Sequence, residues 1–237
     1  MYQVVISYCK NNKGYRYRYQ GTDIADRYLL CQIEALARFN IKPIIATNWD
    51  FVGNTVKVDI SSDVSAFATK FEMLNWLIEN GYVTEDCCYK DNDAWQLEEH
   101  SFPENVNDIG YVRHSMQTRN KPQCGIAYIR RSAFDLVAEF VNEIKSKKVK
   151  KEESYIPYKM KQYPDRFTWL GYEMNCFRQG EFNAKYPLMN LPIINLHMKP
   201  EYDCCFARFM GKNKHNVRVI PKWLEELWYK YELRSRV

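Results

Sequence analysis

Short apolar runs alternate with amphipathic segments through the first part of the chain, and this alternation restricts the fold more than any other feature. The runs 2–8, 42–47 and 87–89 have the length and apolar content of buried strands. The segments 23–40 and 67–79 carry apolar residues on one helical face, and Asn80-Gly81 forms a suitable C-cap for the second. A strand, helix, strand order predicts a parallel sheet with right-handed crossovers.

The remainder of the chain continues the pattern less regularly. Residues 98–123 are expected to be irregular, and the Lys-rich stretch 145–153 is expected to be an exposed loop. Further strands are predicted at 56–60, 124–129 and 193–196, and further helices at 132–145, 169–179 and 221–231. With 237 residues and no internal repeat, we expect a single α/β domain over 1–237, in which helices flank a mostly parallel central sheet.

Composition excludes several classes of protein. No stretch of about 18 apolar residues occurs, so we expect no membrane partner. The 8 cysteines form no CxxC pair and the 4 histidines are scattered, which disfavours a structural zinc site. Cysteines in apolar contexts are typical buried thiols of a reducing compartment, so we expect a cytoplasmic protein. Neither a P-loop nor a GxGxxG motif is present.

Charge is distributed unevenly along the chain, whose net charge is +5. Segments 10–18 and 145–166 are basic, whereas segment 85–108 holds eight acids against Lys90. An acidic centre between basic segments suits a cation site beside a surface that binds a polyanion. Solvated charged surfaces are the alternative interpretation.

Asp91-Asn92-Asp93 directly follows the apolar run 87–89. Two carboxylates at the exit of a buried strand can converge on one hard cation, Mn²⁺ or Mg²⁺, which also binds diphosphate oxygens. A turn stabilised by Asx hydrogen bonds is the other interpretation of this triplet.

The order of these motifs resembles that of GT-A glycosyltransferases, particularly glycogenin-like enzymes, over most of the chain. Such enzymes begin with a strand and a polar loop that hold the nucleotide base, similar to residues 4–12. They carry a basic residue on the helix before the DxD strand, as at Lys70, and an apolar strand after it, similar to 123–129. A late histidine followed by a lysine resembles His197 and Lys199.

The resemblance implies a set of site residues for a nucleotide-sugar donor, UDP-linked in our interpretation. It assigns the metal to Asp91, Asp93 and His197. Glu173 would be a general base in an inverting enzyme, or would stabilise positive charge on the sugar in a retaining one. The expected donor-binding residues are Ser7, Tyr8, Thr47, Lys70, Asn92 and Lys199. The resemblance also divides the domain into a nucleotide-binding half, about 1–95, and an acceptor-side half, about 96–237.

The acceptor is suggested by basic and aromatic residues. Tyr15-Arg16-Tyr17-Arg18-Tyr19 interleaves cations with rings, which can bind phosphates and stack on bases, or can form a strand with one packed face. With the Lys-rich loop and Arg234/Arg236, this pattern suggests double-stranded DNA as the acceptor. In size and basicity the chain also resembles small phage enzymes that glycosylate hydroxymethylated bases in DNA, a resemblance that implies action in the host cytoplasm. The alternatives are a metal-dependent nucleotidyltransferase and a non-catalytic nucleic-acid-binding protein.

Overall fold

The computed structural model of the chain describes residues 1–8, 22–51, 55–60, 66–113, 121–147, 152–175, 195–197 and 222–232.

A seven-stranded sheet forms the centre of the described structure, in the order β3-β2-β1-β4-β7-β6-β8. A separate two-stranded ribbon consists of β5 and β9. The strands are β1 Tyr2–Ser7, β2 Ile44–Thr47, β3 Val56–Lys57, β4 Cys87–Asp91, β5 Ala94–Gln96, β6 Ile109–Arg113, β7 Pro122–Ile129, β8 Phe167–Leu170 and β9 Asn195–His197.

Most pairings in the large sheet are parallel. β1 pairs in parallel with β2 and β4, as do β2 with β3 and β6 with β8. β7 runs antiparallel to both of its neighbours, β4 and β6. The predicted fold class, an α/β domain with a mostly parallel central sheet, is therefore confirmed.

Helices cover both faces of this sheet. They are α1 Thr22–Ala37, α2 Ala66–Glu79, α3 Phe134–Lys147, α4 Glu152–Gln162 and α5 Lys222–Glu232. Val5 of β1 packs against Leu29 and Leu36 of α1, whereas Val4 and Ile6 face the cluster formed with α2, α3 and α4. Such alternation along one strand is the mark of a sheet buried on both sides. None of the helices within the described segments is long and apolar enough to cross a membrane.

Helix α5 packs on the outer side of α1. Trp228 and Leu224 join Tyr28 and Cys31 in a buried cluster that also contains Trp95 of β5. Polar contacts seal the edge of this cluster: the Arg27 guanidinium lies 3.7 Å from the centre of the Trp228 indole, and its Nε donates to the Trp228 carbonyl at 2.9 Å. Lys230 Nζ lies 2.7 Å from a Glu34 carboxylate oxygen.

The described cysteines agree with the expectation of buried thiols. Cys31, Cys87, Cys88 and Cys124 are all buried and are not in disulfides. Burial raises the pKa of Cys31 to about 12 and that of Cys88 to about 11, so both remain protonated at neutral pH.

Several elements differ from the sequence-based expectations. The predicted helix at 169–179 is wrong over its described part, because 167–170 form β8 and Tyr172–Asn175 form a 3₁₀ turn, and 176–179 lie outside the described residues. Phe167 and Leu170 pack in different apolar clusters on the two faces of the sheet, so both sides of this short segment are buried as in a strand. The region 98–123 contains β6, and β5 and α4 were not predicted.

The ends of α2 and α3 also test local predictions. Helix α2 stops at Glu79, and Gly81 adopts a φ of 74°, which confirms the glycine cap. Helix α3 extends to Lys147 and α4 begins at Glu152, so the predicted loop at 145–153 is helical at both of its described ends.

We predict that Gly110→Ala destabilises the fold. A Cβ at this position in β6 would lie 2.8 Å from Val106 Cγ2 and 2.9 Å from Leu170 Cδ1, so the added methyl overpacks the contact between β6 and β8. The expected cost is about 1–3 kcal/mol in the free energy of unfolding, measured by urea denaturation. Leu170→Ala in the same chain removes one clashing group, so the double variant should cost less than the sum of the two single variants. Simple additivity would contradict the clash.

Candidate functional site

The ends of β1 and β4 meet at one edge of the sheet. Ile6 lies opposite Asp91 in the parallel register, so the two strands end at the same level. Asn92 Nδ2 donates to Ser7 Oγ at 2.9 Å across this edge. β1 has β2 on one side and β4 on the other, so the strand order reverses here, which is where open α/β sheets form ligand crevices.

Helix α1 holds the turn that carries the two carboxylates. Gln32 is fully buried, and its Nε2 donates to the carbonyls of Asn92 and Ala94, each at 3.0 Å. The Asp91 side chain keeps 30% of its surface exposed, whereas residue Asp93 is 7% exposed. The turn is therefore fixed in shape, with Asp91 open to solvent.

Lys70 of α2 reaches Asp91 from the opposite face of the sheet. Its Nζ lies 3.2 Å from Asp91 Oδ1 and donates to the Cys124 carbonyl at 2.9 Å. The Tyr89 hydroxyl also donates to Asp91 Oδ1. Lys70 is buried, so we expect its substitution to affect the stability of the fold as well as the site. The lysine couples the helix before β4 to the carboxylate at the end of β4.

Two further residues predicted to bind the donor lie at the same edge. Thr47 ends β2 opposite Ser7, is fully buried and donates from Oγ1 to the Trp49 carbonyl at 2.8 Å. That hydrogen bond shapes the turn after β2. Tyr8 follows β1 and packs, partly buried, against the main core.

Glu173 lies in the 3₁₀ turn Tyr172–Asn175, and its carboxylate lies against Gly171 in the space that a side chain there would fill. The turn is tied to the β5–β9 ribbon, because Asn195 Nδ2 donates to the Met174 carbonyl at 2.8 Å. The structure thus brings the backbone around Glu173 to the ribbon that follows Asp93.

His197 ends β9, and its backbone lies opposite Ala94, the residue after Asp93. The order of elements therefore brings the chain at His197 next to the carboxylate turn. Its side chain, Lys199 and the segment 10–18 lie outside the described residues. Among the side chains that the structure describes, no three from His, Cys, Asp and Glu form a group that could hold a metal ion. The assignment of His197 to the metal stays a prediction.

The two carboxylates of the turn suit Mn²⁺ or Mg²⁺ chemically. Asp91 and Asp93 provide carboxylate oxygens on a fixed turn, and hard divalent cations prefer such ligands. The amide of Asn92, in contrast, is turned to Ser7. Its side chain thus joins the two strand ends.

The sequence did not indicate three buried polar residues that lie behind the carboxylates. They are Lys90, Gln96 and Asn195, and the Lys90 ammonium donates to both amide oxygens. Burial lowers the pKa of Lys90 to about 8. A lysine within an apolar strand pattern is a detectable signal, but lysine is so commonly exposed that the pattern alone suggests a surface charge.

The fold and this edge together define an α/β protein whose ligand crevice carries a carboxylate pair and a buried lysine. Solved structures that share the fold are glycosyltransferases. The glycosyltransferase involved in glycosylation of the major capsid of PBCV-1 has a TM-score of 0.54 at 10% identity, covering 98% of this chain and 100% of that one. The galactosyltransferase LgtC, in complex with donor and acceptor sugar analogues, has a TM-score of 0.55 at 11% identity, with all of both chains covered.

The glycosyltransferase GlyE of Streptococcus pneumoniae TIGR4 has a TM-score of 0.58 at 15% identity, covering 98% of this chain and 60% of that one. The sequence matches no protein-family model and no curated protein sequence. The chain thus has the GT-A-type glycosyltransferase fold, and the predicted resemblance is confirmed at the level of the fold.

We predict that Lys70→Met destabilises the protein by about 1–3 kcal/mol, because it leaves the buried Cys124 carbonyl without this donor and Asp91 without this cation. Adding Asp91→Asn should recover part of the loss, since the unbalanced charge is then removed. Urea denaturation of the wild type, both single variants and the double variant measures this coupling.

Lys57→Met is the matched control for Lys70→Met. Lys57 pairs with Asp50 at 2.8 Å, but both side chains are more than half exposed. Its loss should change stability by less than about 0.5 kcal/mol. An equal cost for the two lysine substitutions, or no coupling between Lys70 and Asp91, would contradict the inferred role of the buried pair.

Proposed function

We propose that the protein is a metal-dependent glycosyltransferase that moves a sugar from a nucleotide-sugar donor to an acceptor hydroxyl. The observation that carries this proposal is the edge where β1 and β4 end, with Asp91 exposed and the Lys70 ammonium 3.2 Å from it. An acidic pair beside a lysine suits a divalent cation together with a diphosphate. The GT-A fold of the chain supports the same function.

In this proposal, Asp91, Asp93 and His197 would hold Mn²⁺ or Mg²⁺. The chemistry supplied by the bound metal is neutralisation of charge on the leaving nucleoside diphosphate. Lys70 and Lys199 would bind the diphosphate oxygens. Lys70 is well suited to this, because its position is already fixed by the Cys124 carbonyl. For a UDP-linked donor, the base would lie along Ser7, Tyr8 and Thr47, with Asn92 holding the two strand ends together.

Glu173 would act beside the transferred sugar. As a general base it would accept the proton of the acceptor hydroxyl, and in a retaining reaction it would stabilise positive charge on the sugar ring. Its carboxylate lies against Gly171 and its neighbour Met174 is tied to Asn195, so the backbone that carries it is restrained. A nucleotidyltransferase is less well supported, because no third acid joins Asp91 and Asp93 within the described segments.

We propose double-stranded DNA as the acceptor, on the strength of the basic segments. In the described part of 145–166, three cations are paired with acids and are therefore less available for phosphate contacts. Lys145 lies 2.8 Å from Glu72 Oε1, and Lys159 and Arg166 are paired with carboxylates as well. In this proposal Lys161, Lys147 to Lys151 and the basic residues of segment 10–18 would supply the phosphate contacts.

We expect Asp91→Asn to slow Mn²⁺-dependent hydrolysis of UDP-glucose or a similar donor, because an amide is a weaker ligand than a carboxylate for a hard cation. The measurement is release of nucleoside diphosphate with and without Mn²⁺, at least about tenfold slower in the variant. Asp50→Asn makes the same chemical change at an exposed surface pair and should leave the rate unaltered. A fully active Asp91→Asn variant would rule out the metal site.

If DNA is the acceptor, transfer of labelled sugar to hydroxymethylated duplex DNA should fall steeply with salt. Log affinity should decrease with log salt with a slope of about −0.9 per phosphate contact. Charge reversal across Lys147 to Lys151, or at Arg16 and Arg18, should flatten this slope and leave donor hydrolysis without acceptor nearly unchanged. Transfer to a protein or free-sugar control but never to DNA would reject the DNA acceptor and leave the glycosyltransferase proposal intact.

A further inference from the structure

Lys90 is a fully buried lysine on β4, directly before Asp91. Its Nζ donates to Gln96 Oε1 and to Asn195 Oδ1, each at 2.9 Å. Successive side chains of a strand point to opposite faces of the sheet, so Lys90 extends from the face opposite to that of Asp91. On that face it binds both strands of the β5–β9 ribbon at once.

Asn195 connects this lysine to the rest of the site. Besides accepting from Lys90, its side chain donates from Nδ2 to the Met174 carbonyl at 2.8 Å and to the Tyr128 hydroxyl at 3.2 Å. One buried amide therefore joins four elements: β4 through Lys90, β7 through Tyr128, its own strand β9, and the 3₁₀ turn that carries Glu173.

Stability alone does not account for this cluster. Both acceptors of Lys90 are neutral amides, and no carboxylate within the described residues pairs with it. Burying an ammonium group without a counter-ion is costly, and apolar side chains of similar volume often stabilise a fold at least as well. Lys159, which is equally buried, is instead held by the carboxylates of Glu139 and Glu143.

The register of the ribbon gives the cluster a role. Gln96 lies directly opposite Asn195, and Ala94 lies opposite His197, in an antiparallel pairing that covers three described residues of each strand. A slip by one residue would turn one of the two amides to the other face, so the contacts to Lys90 favour the observed register. The observed register lets both amide oxygens accept from the same Nζ.

We propose that Lys90, Gln96 and Asn195 form a register lock, a set of positioning residues that holds the backbone of His197 opposite Ala94 and the 3₁₀ turn against the ribbon. The inference rests on the proposed function, in which Asp93 and His197 bind the metal and Glu173 lies beside the sugar. In the proposed enzyme, the register lock sets the distance from the carboxylate turn to His197 and Glu173, which lie later in the chain.

The test compares Gln96→Leu with Gln96→Glu. Glutamate keeps an oxygen for Lys90 and removes no observed hydrogen bond, because Gln96 Nε2 has no described partner. Leucine has a similar size but no acceptor. In the metal-free protein, backbone hydrogen exchange across 94–96 and 195–197 should be at least about tenfold faster in the leucine variant and close to wild type in the glutamate variant.

Mn²⁺ titration of the same proteins gives a second readout, with the dissociation constant about tenfold or more higher for Gln96→Leu and little changed for Gln96→Glu. Asn195→Leu, which removes the other acceptor, should loosen the ribbon in the same way. Lys159→Met is the matched control, because it breaks an equally buried lysine cluster between α3 and α4. It should lower stability without selectively accelerating exchange in the ribbon.

Wild-type exchange in both leucine variants, or equal loosening by Gln96→Leu and Gln96→Glu, would overturn the register lock. If Gln96→Leu does not fold, Asn195→Leu and Gln96→Glu decide the question by the same comparison. Exchange requires neither metal nor donor. A wild type that neither binds Mn²⁺ nor hydrolyses a nucleotide-sugar would therefore overturn the proposed function, while the exchange result would still decide the lock.

Discussion

The parallel pairing of β1 with β4 is the constraint on which the rest of the site depends. Because Ile6 lies opposite Asp91, both strands end at the same level, and the chain leaves the sheet at adjacent points. This brings Ser7 within hydrogen-bond distance of Asn92. It also leaves the carboxylate turn where Gln32 from α1 can hold it on one side and Lys70 from α2 can approach on the other. Removing this pairing would separate Ser7 from Asn92 and from the carboxylate turn.

Three buried lysines show how the same side chain takes different roles in one fold. Lys159 is neutralised by two glutamates and is a structural ion-pair cluster. Lys70 contacts the partly exposed carboxylate of Asp91 and donates to the Cys124 carbonyl, so its charge lies near solvent. Lys90 donates to two neutral amides, those of Gln96 and Asn195. The three lysines therefore differ more in the polar groups that they contact than in how deeply they are buried.

The parts of the fold that could be predicted from sequence are those whose signals are local. Helices α1 and α2 show an apolar stripe within a single segment, and the DxD triplet directly follows an apolar run. By contrast, β8 is four residues long and exists because it pairs with β6, more than fifty positions earlier along the chain (167 − 109 = 58). Its apolar residues fit a helical spacing equally well, and non-local pairing decided the outcome. Lys90 and Asn195 were missed for the same reason, since their partners lie in other elements.

The packing of α5 on α1 affects how the domain folds. Arg27 and Trp228, which are in contact, are separated by 201 positions along the chain. The outer side of α1 is covered only when these distant segments meet, and closing so long a loop costs entropy before any contact compensates for it. The early segment that contains α1 and β5 and the late segment that contains α5 are therefore not independent folding units. A fragment ending after β5 would expose Tyr28, Cys31 and Trp95 to water, and the complete fold should form late and cooperatively.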